Sequence, residues 1–164
     1  VAFARDPSKK KKLTPSEAFA RICRYCAYQE RSHHEVRNKL FELGLFSNDV
    51  DDLMSQLITA GFLNEERYAK AFAGGKFRMK KWGRVKIQHE LEGMGLTKNC
   101  IQRGLREIDP ADYRKTLQSL LEKKLREVSE PNAFRRRDKV ARFAIAKGYE
   151  PEMVWEYLKD LLPS

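Results

Sequence analysis

Several protein classes need features that this 164-residue chain has little of. Three cysteines are an odd number at low density, which speaks against a disulfide framework. A membrane helix needs about 18 apolar residues in a row. The longest apolar runs here are four-residue pieces such as Phe143 to Ala146. Lys9 to Lys12 are not followed by an apolar stretch with a small-residue cleavage site, so no secretory leader is expected and the chain reads as cytoplasmic. Hydrophobic residues at 41% and charged residues at 34% fit neither a disordered chain nor a membrane protein.

Catalytic and metal-binding patterns are also missing. Cys23 and Cys26 form a CxxC, but only the isolated Cys100 remains as a further thiol, too few for a zinc site. No strand precedes the pair, as a redox motif requires. The two cysteines are expected on the buried stripe of a helix. His33 and His34 are adjacent on a predicted helix and point about 100° apart, so they do not share a metal. Gly74-Gly75-Lys76-Phe77 is not a phosphate loop: Lys70 and Phe77 stand where that motif needs glycine and Ser or Thr. No nucleophile with a base and no paired carboxylates in a suitable setting argue for an enzyme. Neither a cofactor nor a metal is expected.

What the chain does have is positive charge, +10 overall. The charge is unevenly placed. Residues 1–13 carry net +4, residues 14–61 net −2, residues 62–108 net +6 and residues 109–164 net +2. A surface charged only for solubility would mix its signs more evenly. An anionic partner is implied.

The chain also repeats itself. Val36–Leu57, Ile87–Ile108 and Val140–Leu161 align without a gap. Each starts with a β-branched residue, followed by Leu40, Leu91 or Ala144 and then by Gly44, Gly95 or Gly148. Val50, Ile101 and Val154 come next, then Met54, Leu105 and Leu158. Spacing before each glycine is helical. The glycine sits where a left-handed helix cap belongs. A short turn with a new start follows, at Ser47 or Asn48, at Thr97 and at Glu150-Pro151. An upstream helix opens each copy, at Thr14-Pro15, Asn64-Glu65-Glu66 and Asp109-Pro110. Ser32 to Glu35 reads as a capping box.

The expected fold is all-α: an elongated, curved array of three tandem three-helix repeats over residues 14–61, 62–108 and 109–164, behind a basic flexible tail at 1–13. Such units bury little core alone and pack in sequence. An array of this length needs no partner to fold, so a monomer is expected. Gly93 and Gly104 fall inside predicted helices, and Gly74-Gly75 inside another. A close helix crossing, a kink or a break would each account for them.

Residues 76–86 stand out. Lys76, Arg78, Lys80, Lys81, Arg84 and Lys86 occur in eleven residues without an acid, with Phe77 and Trp82 interleaved. They suit phosphates or an acidic protein surface. A solvated helix face is the plain alternative, and Trp82 is expected to pack more than to stack on a base. Arg135, Arg136, Arg137 and Lys139, with Arg142, form a second basic cluster in copy three. It is diluted by Asp138.

Gly61-Phe62-Leu63-Asn64-Glu65-Glu66-Arg67-Tyr68-Ala69 resembles the motif that joins the first two copies in the RecX regulatory proteins. Ser32 to Leu40 is similar to that family's first copy, and Lys81-Trp82-Gly83 to Glu90-Leu91 to its second. The resemblance spans about residues 15–160. It implies a non-enzymatic modulator of the RecA recombinase that binds in the groove of the recombinase–single-stranded DNA filament and inhibits strand exchange and ATP hydrolysis. Some members bind DNA themselves, so single-stranded and double-stranded DNA are implied as further partners. Arg67 and Tyr68 match the motif, with a structural role expected. Contact is expected at 76–86. Two other readings stand beside it: an autonomous helix-turn-helix-like nucleic-acid binder, and an interaction scaffold in which the basic run is incidental.

Overall fold

A computed structural model of the protein describes residues 13–162. The expected tail at 1–13 falls almost wholly outside them. Every regular element among the described residues is a helix: α1 (Pro15–Tyr28), α2 (His33–Glu42), α3 (Ser47–Thr59), α4 (Glu65–Lys80), α5 (Arg84–Gly93), α6 (Lys98–Leu105), α7 (Pro110–Glu127), α8 (Ala133–Ala146) and α9 (Pro151–Leu161). None is long and apolar enough to cross a membrane.

The helix starts follow side-chain chemistry. Thr14, Thr97 and Asp109 accept the amide three residues on, at 3.2, 3.3 and 3.0 Å. Each satisfies one of the donors that a helix leaves open at its N-terminus. One expected cap is corrected. Helix α3 already contains Ser47 and Asn48, and its N-cap is Phe46, with no side-chain cap. The capping box is half formed. Ser32 accepts the Glu35 amide at 3.1 Å, but Glu35 turns its carboxylate to the Tyr68 hydroxyl at 3.0 Å.

The helix ends follow glycine. Gly44, Gly95 and Gly148 have φ of 90°, 80° and 102°, which a Cβ disfavours. Each closes the same pair of bonds. The glycine amides donate to Phe41, Glu92 and Ile145 at 2.9–3.0 Å, and the next amides reach back to Leu40, Leu91 and Ala144 at 3.2–3.4 Å. The three aligned glycines therefore end α2, α5 and α8 in one way.

The described residues form two compact units, one ending at Tyr68 and one beginning at Ala69. In the first, α1 to α3 enclose Ile22, Val36, Leu40, Val50 and Leu57, all fully buried. Cys26 lies in this core with Cys23 at its edge. Burial pushes the Cys26 thiol up to about 11 and raises Cys23 as well. Arg67 ties the unit shut: its guanidinium meets Glu30 at 2.6 Å and the Gly61 carbonyl at 3.0 Å.

In the second unit, Ile87, Leu91, Leu117, Leu121, Val140 and Leu158 are buried. Phe77, Tyr113 and Tyr149 stack through the middle, with centroids 5.8 and 5.1 Å apart. Helix α4 runs unbroken through Gly74 and Gly75. Of the helix-interior glycines, Gly104 explains itself by a crossing. A Cβ there would lie 2.7 Å from Ala69 of α4. Gly75 and Gly93 face nothing within 4 Å.

Candidate nucleic-acid interface

The basic run of residues 76–86 ends α4, turns, and begins α5. Its turn is held from below by the α8–α9 turn. The Gly83 amide donates to the Lys147 carbonyl at 2.8 Å, and the Val85 amide to the Gly148 carbonyl at 2.9 Å. The Tyr149 hydroxyl donates to the Lys81 carbonyl at 2.9 Å, and Lys147 Nζ to the Lys80 carbonyl at 3.0 Å. Lys81 sits at φ 59°, a left-handed conformation costly for a residue with a Cβ. These four bonds hold it there.

This geometry divides the run. Lys76 and Lys86 place their ammonium groups 5.0 and 4.4 Å from the Trp82 ring centre, and Phe72 meets the same indole edge-on at 6.4 Å. Trp82 is thus a half-buried packing residue with cations over it. The Arg84 guanidinium stacks 4.0 Å from the Tyr113 ring centre, and its amide donates to the Tyr113 hydroxyl at 3.1 Å. That hydroxyl donates to Glu150 at 2.9 Å. Arg84 therefore packs on the core aromatic stack. Arg78, Lys80 and Lys81 remain exposed.

The second cluster divides as well. Arg136 gives its guanidinium to the Leu125 carbonyl at the end of α7, and Arg137 gives its own to the Leu162 carbonyl beyond α9. Lys139 pairs with Glu130 at 3.4 Å, and Arg142 with Asp138 at 2.9 Å. Arg135 is exposed and has no charged partner among the described residues. In copy one, Arg37 and Lys39 are paired with Asp51 and Glu42. His33 meets Glu65, and His34 meets Asn38.

A further concentration of charge has no counterpart as a run in the sequence. A groove of about 570 Å³ opens in the second unit. One stripe of α7 forms its wall, from Lys115 and Thr116 through Ser119 and Leu120 to Lys123, Lys124 and Glu127. Phe143 and Lys147 close the far side, and Lys81 enters from the α4–α5 turn. Five lysines thus face one acid. Lys124 lies 4.4 Å from the Phe143 ring centre and 3.9 Å from Glu127. The signal in the sequence was helical spacing: positions 115, 119, 123 and 127 share one face of α7.

Known proteins agree with this architecture. Residues 64–105 match the family model of the second three-helix domain of RecX, and residues 111–158 that of the third. A regulatory protein RecX of Pseudomonas savastanoi is 30% identical over 132 residues, covering 80% of this chain and 83% of that one. One from Clostridium perfringens is 30% identical over 122 residues; the match covers 73% of this chain and 57% of the longer relative. The crystal structure of RecX from Lactobacillus salivarius superposes with a TM-score of 0.80 over 90% of this chain and 96% of its own, at 20% identity. With two successive three-helix domains matched and a 30%-identical relative covered over most of its length, the chain belongs to the RecX family of regulatory proteins.

Proposed function

We propose that this protein binds the RecA recombinase–single-stranded DNA filament and inhibits its recombinase and ATPase activity, so tempering recombination and DNA repair. The reading makes it a cytoplasmic, monomeric regulator without catalytic activity, whose three three-helix copies (14–61, 62–108 and 109–164) act as its modules. The observation that carries it is the run of two matched three-helix domains. Its charge supports it: the exposed cations of the basic run, Arg78, Lys80 and Lys81, lie where α4 ends, whereas Arg37 and Lys39 of copy one are neutralised by acids. A filament groove offers phosphate and protein together, which suits such an uneven surface. Inhibition follows if the protein binds one filament state more tightly than the other.

The test is the single-stranded-DNA-dependent ATPase rate of the cognate recombinase as this protein is titrated in. A fall near stoichiometry that is weakened by Arg78→Gln/Lys80→Gln is expected. Both side chains are exposed, so the substitutions leave the core alone. An unchanged rate at tenfold excess sinks the reading.

A further inference from the structure

In the lysine groove of the second unit, Lys147 and Lys124 already have packing partners, whereas Lys81, Lys115 and Lys123 are exposed. Its cations come from three places in the chain: α7, the end of α8 and the α4–α5 turn. Gathering five like charges around one concavity is unfavourable unless an anion offsets them. Glu127 is the one acid in the lining, and it lies 3.9 Å from Lys124, at the limit of an ion pair. Lys81 reaches the groove from a backbone conformation that its Cβ disfavours, held by neighbouring side chains and amides. Lys115 and Lys123 are exposed, with no charged partner among the described residues.

We propose that this groove binds the phosphodiester backbone of single-stranded nucleic acid. The α7 wall from residue 115 to residue 127 is about 18 Å long at 1.5 Å per residue. It presents ammonium groups along its length, as a row of phosphates requires. Thr116 and Ser119 add hydroxyl donors, while Leu120 and Phe143 supply an apolar strip for bases or sugars. An acidic peptide has no need of that strip. A duplex keeps its bases stacked inside, so only a single strand can lay bases on that strip. The groove adjoins the Arg78–Lys80 edge through Lys81, and its α7 wall, with Lys115 and Lys123, lies outside the basic run. This inference deepens the reading above by naming the surface that takes the nucleic acid.

The test uses the full chain and no recombinase, so it can fail or succeed apart from filament inhibition. Binding of a fluorescent oligothymidylate is followed by anisotropy across a salt series. Lys115→Gln/Lys123→Gln is compared with Lys98→Gln/Arg106→Gln, which removes the same charge outside the groove. The groove variant is expected to lose at least tenfold in affinity, and its salt slope to shrink by about 1.4, or about 0.7 for each phosphate no longer neutralised. Lys115→Arg/Lys123→Arg, which keeps the charge, is expected to retain binding. Equal affinity and slope in the two Gln variants would overturn the proposal. An equal loss on a duplex of the same length would overturn its commitment to a single strand.

Discussion

Gly83 and Gly148 touch through their backbones. A methyl group on Gly83 would overlap the carbonyl carbon and oxygen of Gly148, and one on Gly148 would overlap Cβ of Lys86. The atoms in the way are backbone or a Cβ, and neither can swing aside. This approach seats the α4–α5 turn on the α8–α9 turn and so sets where Lys81 emerges.

Gly83→Ala is therefore expected to destabilise the second unit by about 3 kcal/mol, the upper range for overpacking a tight site. Urea unfolding followed by Trp fluorescence reads this directly. A loss under about 0.5 kcal/mol would mean the two turns separate easily, against the four hydrogen bonds seen between them.

The helix-interior glycines split in sign. Gly75→Ala meets nothing within 4 Å and should stabilise the protein by about 0.5–1 kcal/mol through helix propensity. Gly104→Ala would drive a methyl to 2.7 Å from Ala69 and should cost about 1–3 kcal/mol. Thermal melts of the two variants should move in opposite directions; a shift of the same sign contradicts the crossing.

Lys81→Gly removes a Cβ from a left-handed residue. Stability should rise by about 1 kcal/mol, offset in part by the greater freedom of glycine in the unfolded chain. Affinity for single-stranded nucleic acid should fall in the same variant. A variant at once more stable and weaker in binding would show that the strained turn serves the groove. Lower stability would mean that the side chain is needed for packing.

Alkaline pH should unfold the second unit steeply. Burial pushes the Tyr113 and Tyr149 hydroxyls well above the usual value of 10, with the Glu150 carboxylate adding to both. The folded state thus holds protons that the unfolded state releases above about pH 10. That stabilisation is complete below pH 10 and is lost as the pH rises beyond it. Two such groups give a slope of about −2.7 kcal/mol per pH unit. Tyr149→Phe should roughly halve it. A pH-independent stability between 10 and 11.5 would contradict the burial of these rings.

The features legible in the sequence are those that depend on near neighbours. Gly44, Gly95 and Gly148 can be placed because a left-handed cap leaves few alternatives. Thr14, Thr97 and Asp109 can be placed because a hydroxyl or carboxylate three residues from an open amide is a local event. Phe46 starts α3 without offering any such group, and the polar Ser47 and Asn48 beside it are the better caps by chemistry alone. The site is less legible because its charges are sorted by tertiary contacts. Lys76, Arg84 and Lys86 look alike in a basic run, yet the fold lays them on Trp82 and Tyr113. Arg136 and Arg137 look free until α7 and the segment after α9 bring carbonyls to them. Lys115, Lys123 and Lys147 look scattered until α7 and α8 share a groove with Lys81.

The joint at Gly83 and Gly148 is made from amides and carbonyls. Its two direct bonds, from Gly83 to Lys147 and from Val85 to Gly148, use main-chain atoms at both ends. Beyond the Tyr149 hydroxyl and Lys147 Nζ, side-chain identity matters there mainly where a side chain must be missing. The surrounding surface can then be recoloured while the joint persists. Acidic residues at 115 and 123 would leave three lysines facing three acids and cancel the field of the groove on an unchanged frame. The same backbone would then present a neutral groove, with the phosphate attraction gone.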